Sequence, residues 1–235
     1  GSNIANVLLI LGISCLLSPI KGPKTANFRG SFVLMAGSVL FAVLCYQGQL
    51  SLMSGGVLFV AFLGFLVSTF RKESTDADTA AEQIEEVESM TTIAAPMGVV
   101  VLTVLGGLVG IVWGADLLVE GGVAIARVFG VSEEVIGLTV IAFGTSLPEL
   151  AASVMAAYHG HSDIALGNVV GSNIANIGLV MGVAALVLPA VFSRRLFLSE
   201  GFWLVGSLVL LWGLMLDGEL QRMDAMLLLG VFVAH

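Results

Sequence analysis

Two long intervals without a charged residue constrain this chain more than any other feature: Arg29 to Arg71 and Asp163 to Arg194. A helix crosses the hydrocarbon core of a bilayer with about 20 mostly apolar residues, so each interval holds one crossing or more. Of the 235 residues, 57% are hydrophobic and 11% charged, against about 45–50% and about 25% in soluble domains. A water-soluble fold is excluded, and the expectation is an all-α polytopic membrane protein.

Apolar runs read against charged or turn-like breaks give eight helices, near 4–20, 31–46, 54–70, 97–118, 135–158, 164–190, 200–216 and 224–235. The breaks carry turn chemistry, as at Pro19 to Pro23, Gln47-Gly48-Gln49, His159-Gly160-His161 and Asp217-Gly218-Glu219. Residues 71–96 differ, because this polar, acidic stretch reads as a solvated linker dividing 1–70 from 97–235. Seven acids from Glu73 to Glu88 account for most of the net charge of -8. With no concentrated Lys/Arg face elsewhere, nucleic acid is not an expected partner. Cys15 and Cys45 fall in apolar segments and read as small buried hydrophobes. The uncharged Gly-Ser-Asn opening does not read as a targeting peptide. If the helices alternate, Lys21, Lys24, Arg29, Arg71, Lys72 and Arg222 lie on one side of the membrane, and Arg127, Arg194 and Arg195 on the other. The positive-inside bias then predicts a multi-pass inner (plasma) membrane protein whose linker is cytoplasmic.

An internal repeat underlies this arrangement. GSNIAN at Gly1 to Asn6 recurs at Gly171 to Asn176, and the same offset of 170 pairs Gly12 with Gly182, Pro19 with Pro189, Gly48 with Gly218 and Leu50 with Leu220. Five helices separate the copies. An odd number inverts orientation, which is the arithmetic of the inverted-topology repeats of secondary transporters. About 70 residues precede the second GSNIAN within its half and none precede the first, so the chain reads as beginning inside repeat 1. The expected organisation is 1–70 as the C-terminal part of repeat 1, 71–96 as linker and 97–235 as repeat 2, its last helix truncated. Residues 1–235 alone are expected not to transport.

GTSLPEL, Gly144 to Leu150, places Glu149 in the middle of an apolar helix. A carboxylate at bilayer depth costs several kcal/mol unless it is paired, protonated or facing a polar cavity, so it reads as functional. Thr145 and Ser146, four and three residues earlier, are expected to share its helix face. Pro148 interrupts the helical ladder near Gly144 and is expected to free main-chain oxygens. Such an all-oxygen set suits Ca²⁺ or Na⁺. The next helix adds Ser172 and Asn176 on one face, with Asn168 a turn earlier and Asn173 beside them. Gly167 and Gly171 read as a close-packing pair that would bring this face to Glu149. His159 and His161 read as a solvated loop, and Asp116 takes no site role. Ser146 lacks a GxSxG elbow and a His at its depth, so the chain is not expected to be an enzyme.

At GTSLPEL and GSNIAN the sequence resembles the calcium/cation antiporter superfamily, in particular small prokaryotic members of the sodium/calcium exchanger family. The resemblance implies a fold of ten helices in two inverted five-helix repeats, of which helices 3–10 would be present here. It implies cation ligands at the Ala142 carbonyl, the side chains of Thr145, Ser146, Glu149, Ser172 and Asn176, and, from repeat 1, Ser2 and Asn6. Where some members carry Asp, this chain has Asn176. The activity implied is Ca²⁺/Na⁺ antiport by alternating access, with these ions as substrates, the bilayer as surroundings, no organic cofactor and no obligate protein partner. Coupling to H⁺ or K⁺ on the same fold, or a non-transporting membrane scaffold, are the alternatives.

Overall fold

The structure is a computed structural model and describes residues 1–21, 24–46, 48–73 and 96–235. Almost all of the acidic linker, 74–95, lies outside the described residues. Among the described residues there are eight helical stretches. The first is α1 (Ser2–Leu17), followed by α2 (Lys24–Cys45), α3 (Leu52–Glu73) and α4 (Met97–Val128). A broken pair comes next, α5 (133–145) and α6 (Leu147–Tyr158), bent by 48° at Ser146. The chain continues through α7 (162–187), α8 (Arg194–Leu214) and α9 (Arg222–Ala234). Among the described residues, four helices are long and apolar enough to cross a membrane, or five if the bent pair is one span.

Several boundaries differ from expectation. α4 runs on to Val128 rather than stopping near 118, because Asp116 and Glu120 are accommodated on an exposed helix face instead of ending the helix. α8 begins at Arg194 rather than 200, and α9 at Arg222 rather than 224. The α9 start is set by a capping box, in which the Gln221 N–H donates to Asp224 Oδ2 at 2.8 Å.

The repeat offset is visible in the backbone. α1 carries a π turn at Asn6–Ile10 and α7 one at Asn176–Val180. Ser18 and Leu188, each preceding a proline, turn extended and end their helices, since a proline ring disfavours the helical region for its predecessor. The released residues form strands: β1 (Ile20–Lys21), β2 (Gln49–Leu50), β3 (Ala190–Val191) and β4 (Glu219–Leu220). β1 pairs antiparallel with β4 through Ile20↔Leu220, and β2 with β3 through Leu50↔Ala190. Adding 170 to Ile20 and subtracting it from Leu220 produces the other pair with its partners exchanged, the signature of a pseudo-two-fold. Gly48 and Gly218, at φ 78° and 85°, make the left-handed turns that feed β2 and β4, where a side chain would be strained.

α1 runs through the centre, with Ile4, Val7, Leu8, Ile10 and Leu11 all nearly inaccessible. α9 and α6 pack on its C-terminal half, while α3 packs on the corresponding half of α7. Close approach there depends on absent side chains. A Cβ on Gly55 would lie 2.8 Å from the Gly182 carbonyl, and one on Gly182 would lie 3.1 Å from the Phe59 nitrogen. α4, by contrast, has no buried residue and presents apolar side chains outward along its whole length.

Candidate cation site

The two hexapeptides meet at the centre of the molecule and are joined by reciprocal amide bonds. Asn3 Nδ2 donates to the Asn173 carbonyl at 3.4 Å, and Asn173 Nδ2 donates to the Asn3 carbonyl at 3.3 Å. Asn6 Nδ2 donates to Asn173 Oδ1 at 3.0 Å, mirrored by Asn176 Nδ2 to Asn3 Oδ1 at 2.9 Å. Asn6 Nδ2 also reaches Ser172 Oγ at 3.2 Å, whose hydroxyl donates to the Val169 carbonyl. Asn6 and Asn173 are wholly inaccessible, so this polar patch lies in the protein core rather than in a surface groove.

The Glu motif reaches this centre through a broken helix. α5 contains a π turn at Gly137–Ile141 and ends at Thr145; α6 starts at Leu147, with Pro148 in its first turn, where a missing N–H costs no hydrogen bond. The break falls at Ser146, two residues after Gly144, which corrects the expectation of one continuous face. Thr145 belongs to the segment before the bend and is exposed, whereas Ser146 is buried and Glu149 half-buried after it. The Ala142 carbonyl is not free either, since Thr145 Oγ1 donates to it at 3.1 Å. Gly144 allows α4 to close on the break, because a Cβ there would overlap Val119.

α6 packs along α7, and Asn168 ties the two by donating to the Glu149 carbonyl at 3.2 Å and to Ser153 Oγ at 2.9 Å. Asn168, in phase with Ser172 and Asn176 in the sequence, thus holds the backbone of the acid. Asn176, Ser2, Asn3 and Thr145 line one cavity of about 480 Å³, which also receives Glu200 from α8. Ala142 lines a neighbouring cavity of about 600 Å³. Asn3 and Glu200 were not singled out by sequence reasoning. The identical hexapeptides contained the signal for Asn3, while nothing local distinguishes Glu200 from an interfacial acid.

Three oxygens of this region are buried without a hydrogen-bond partner in the protein: Asn6 Oδ1, Ser146 Oγ and Glu149 Oε2. Among the described residues the other two such atoms, Ser14 Oγ and Ser31 Oγ, lie elsewhere on α1 and α2. A buried acceptor left unpaired costs about 1–3 kcal/mol, more when charged, a cost that a bound group would relieve. Among the described residues no three His, Cys, Asp or Glu side chains cluster. The donors are amide, hydroxyl, carbonyl and one carboxylate, the chemistry of a hard cation rather than of zinc or copper.

The family model for sodium/calcium exchanger protein matches residues 1–71 and 99–235. The chain belongs to the sodium/calcium exchanger family. Among its exchanger relatives, the putative antiporter CaxA of Alkalimonas amylolytica is 34% identical over 243 residues, covering all of this chain and 75% of that protein. The sodium/calcium exchanger MaX1 of Methanosarcina acetivorans is 32% identical over 268 residues, covering all of this chain and 76% of its own length. The solved structure of the sodium-calcium exchanger NCX_Mj soaked with 100 mM Na⁺ and 10 mM Sr²⁺ superposes with a TM-score of 0.74 at 30% identity, over 100% of this chain and 72% of that one. The chain is therefore a helical membrane transporter of the exchanger family, not an enzyme.

Proposed function

We propose that this protein exchanges Ca²⁺ for Na⁺ by alternating access around a central, oxygen-lined cation site. The observation that carries the reading is the set of three unpartnered buried oxygens, Asn6 Oδ1, Ser146 Oγ and Glu149 Oε2, on the two motifs of the chain. Ser172, Asn176, Thr145, Ser2 and the Ala142 carbonyl complete the proposed ligand set. The carbonyl joins once Thr145 Oγ1 turns from it to the ion.

The electrostatics suit competition between the two ions. Glu149, with Glu200 on the wall of the cavity that Asn176 and Thr145 line, supplies negative charge to either cation. Residues 1–70, the C-terminal part of repeat 1, and 97–235, repeat 2, belong to the two inverted repeats between which access alternates, in the inner membrane and without an obligate protein partner.

The test is ⁴⁵Ca²⁺ uptake into sodium-loaded vesicles containing the full-length protein. Glu149→Gln is expected to lower uptake to background with insertion intact, Glu149→Asp to retain weak uptake, and replacing internal Na⁺ by K⁺ or a proton gradient to abolish the wild-type signal. Wild-type uptake by the Gln variant sinks the site assignment. For topology, the six-to-three basic asymmetry supports a cytoplasmic linker. Single cysteines at Ser74 and Ser193, in a background lacking Cys15 and Cys45, should label from opposite sides with an impermeant maleimide; labelling of both from one side overturns this orientation.

A further inference from the structure

Four asparagines, two from each hexapeptide, are wired so that no amide among them can turn over. An amide presents a donor on one side and an acceptor on the other, so its orientation is set by what it faces. Asn173 is held first: its Nδ2 donates to the Asn3 carbonyl at 3.3 Å, which leaves Oδ1 to accept from Asn6 Nδ2 at 3.0 Å. Asn3 is held in the same way, its Nδ2 on the Asn173 carbonyl at 3.4 Å and its Oδ1 receiving Asn176 Nδ2 at 2.9 Å. Rotating Asn6 would set its oxygen against Asn173 Oδ1, and rotating Asn176 would set its oxygen against Asn3 Oδ1. Both are therefore locked with the NH₂ group toward the opposite hexapeptide and the oxygen away from it. Asn6 Oδ1 is buried without a partner, and Asn176 lines the 480 Å³ cavity beside Ser2 and Thr145.

We propose that Asn3 and Asn173 are positioning residues that aim the amide oxygens of Asn176 and Asn6 at the transported cation, each acting across the pseudo-two-fold on the other copy. This rests on Asn6 and Asn176 being cation ligands, as read under the proposed function. A cation drawing electrons from Oδ1 strengthens the N–H donors of the same amide, so occupancy tightens the bonds that join the two copies. Ion binding and the closeness of the halves are thereby coupled through two neutral amides, with no proton released.

The test is a double-mutant cycle read by equilibrium ⁴⁵Ca²⁺ binding to the purified full-length protein. Asn173→Leu, nearly isosteric, should raise the half-saturating Ca²⁺ concentration by up to about tenfold, the upper end for one lost hydrogen bond between neutral groups. In an Asn6→Ala background the same substitution should have no further effect, because its only route to the ion is gone. A merely structural role for Asn173 would instead give additive losses in that background, and additivity overturns the proposal, as does unchanged binding in the Asn173→Leu protein. The Asn3→Leu and Asn176→Ala cycle reads the same coupling at the other copy if the first variant does not assemble. Glu149→Gln separates the two levels. Undiminished binding in that variant overturns the cation site itself, whereas lost binding there with additive asparagine effects overturns only the positioning role.

Discussion

α1 and the C-terminal half of α7 begin with the same six residues, carry the same π turn and stop at the same pre-proline step, yet their outer faces meet different surroundings. Ile10 is 1% exposed and its counterpart Val180 is 55% exposed; Ser14 is buried while Ala184 is exposed. The difference comes from the neighbours. α6 lies along α1, whereas among the described residues the C-terminal half of α7 packs chiefly on α3. Local conformation thus follows the repeated sequence, whereas burial follows what each half has been given to pack on.

The same comparison holds on the inner faces, with the asymmetry reversed. α7 meets α3 through Gly182 and Gly55, backbone against backbone, while α1 meets α9 through Gly12 and Ala225, where the nearest atom to a Gly12 Cβ is the flexible end of Leu229 at 2.9 Å. The pseudo-two-fold relates the helices but not the tightness of the contact. Small residues set that tightness where lipid supplies no hydrophobic drive for helix association.

Substitutions at paired positions test how far the two halves are alike. Ile10→Ala should show the largest effect, a destabilisation of about 2–5 kcal/mol from the cavity it leaves, whereas Val180→Ala, on an exposed face, should stay within about 0.5 kcal/mol. Thermal unfolding in detergent measures both, and equal losses would mean that Val180 is covered in the working protein. Gly55→Ala comes next, at about 1–3 kcal/mol from overpacking against the Gly182 carbonyl. Gly12→Ala should cost less than Gly55→Ala, under about 1 kcal/mol, since the Leu229 side chain can rotate away. A reversed order in the same unfolding assay would show that α9, not α3, makes the tighter contact.

Much of this was legible without coordinates. Charge-free runs marked the spans, Pro19 and Pro189 marked where two helices end, and a buried acid flanked by hydroxyls marked the Glu motif. The exchanger motifs then identified the family. The expectation of one unbroken helix face failed at Ser146, because helical periodicity assumes the continuity that a bend removes. The end of α4 was placed near 118, short of Val128, although an exposed helix face carries Glu120 as readily as Asp116.

The sequence by itself determined the eight helical stretches, the offset of 170 and the residue types of the candidate site, since all three are written in local composition and in one repeated hexapeptide. Only the tertiary structure decided that β1 pairs with β4 and β2 with β3, that Asn6 gives its NH₂ group to Asn173, and that Asn6 Oδ1, Ser146 Oγ and Glu149 Oε2 are left without partners. The reason is physical. These contacts join residues from opposite halves of the chain, where partner and orientation depend on how two helices cross, and an amide has no preferred face until a donor or an acceptor stands opposite it.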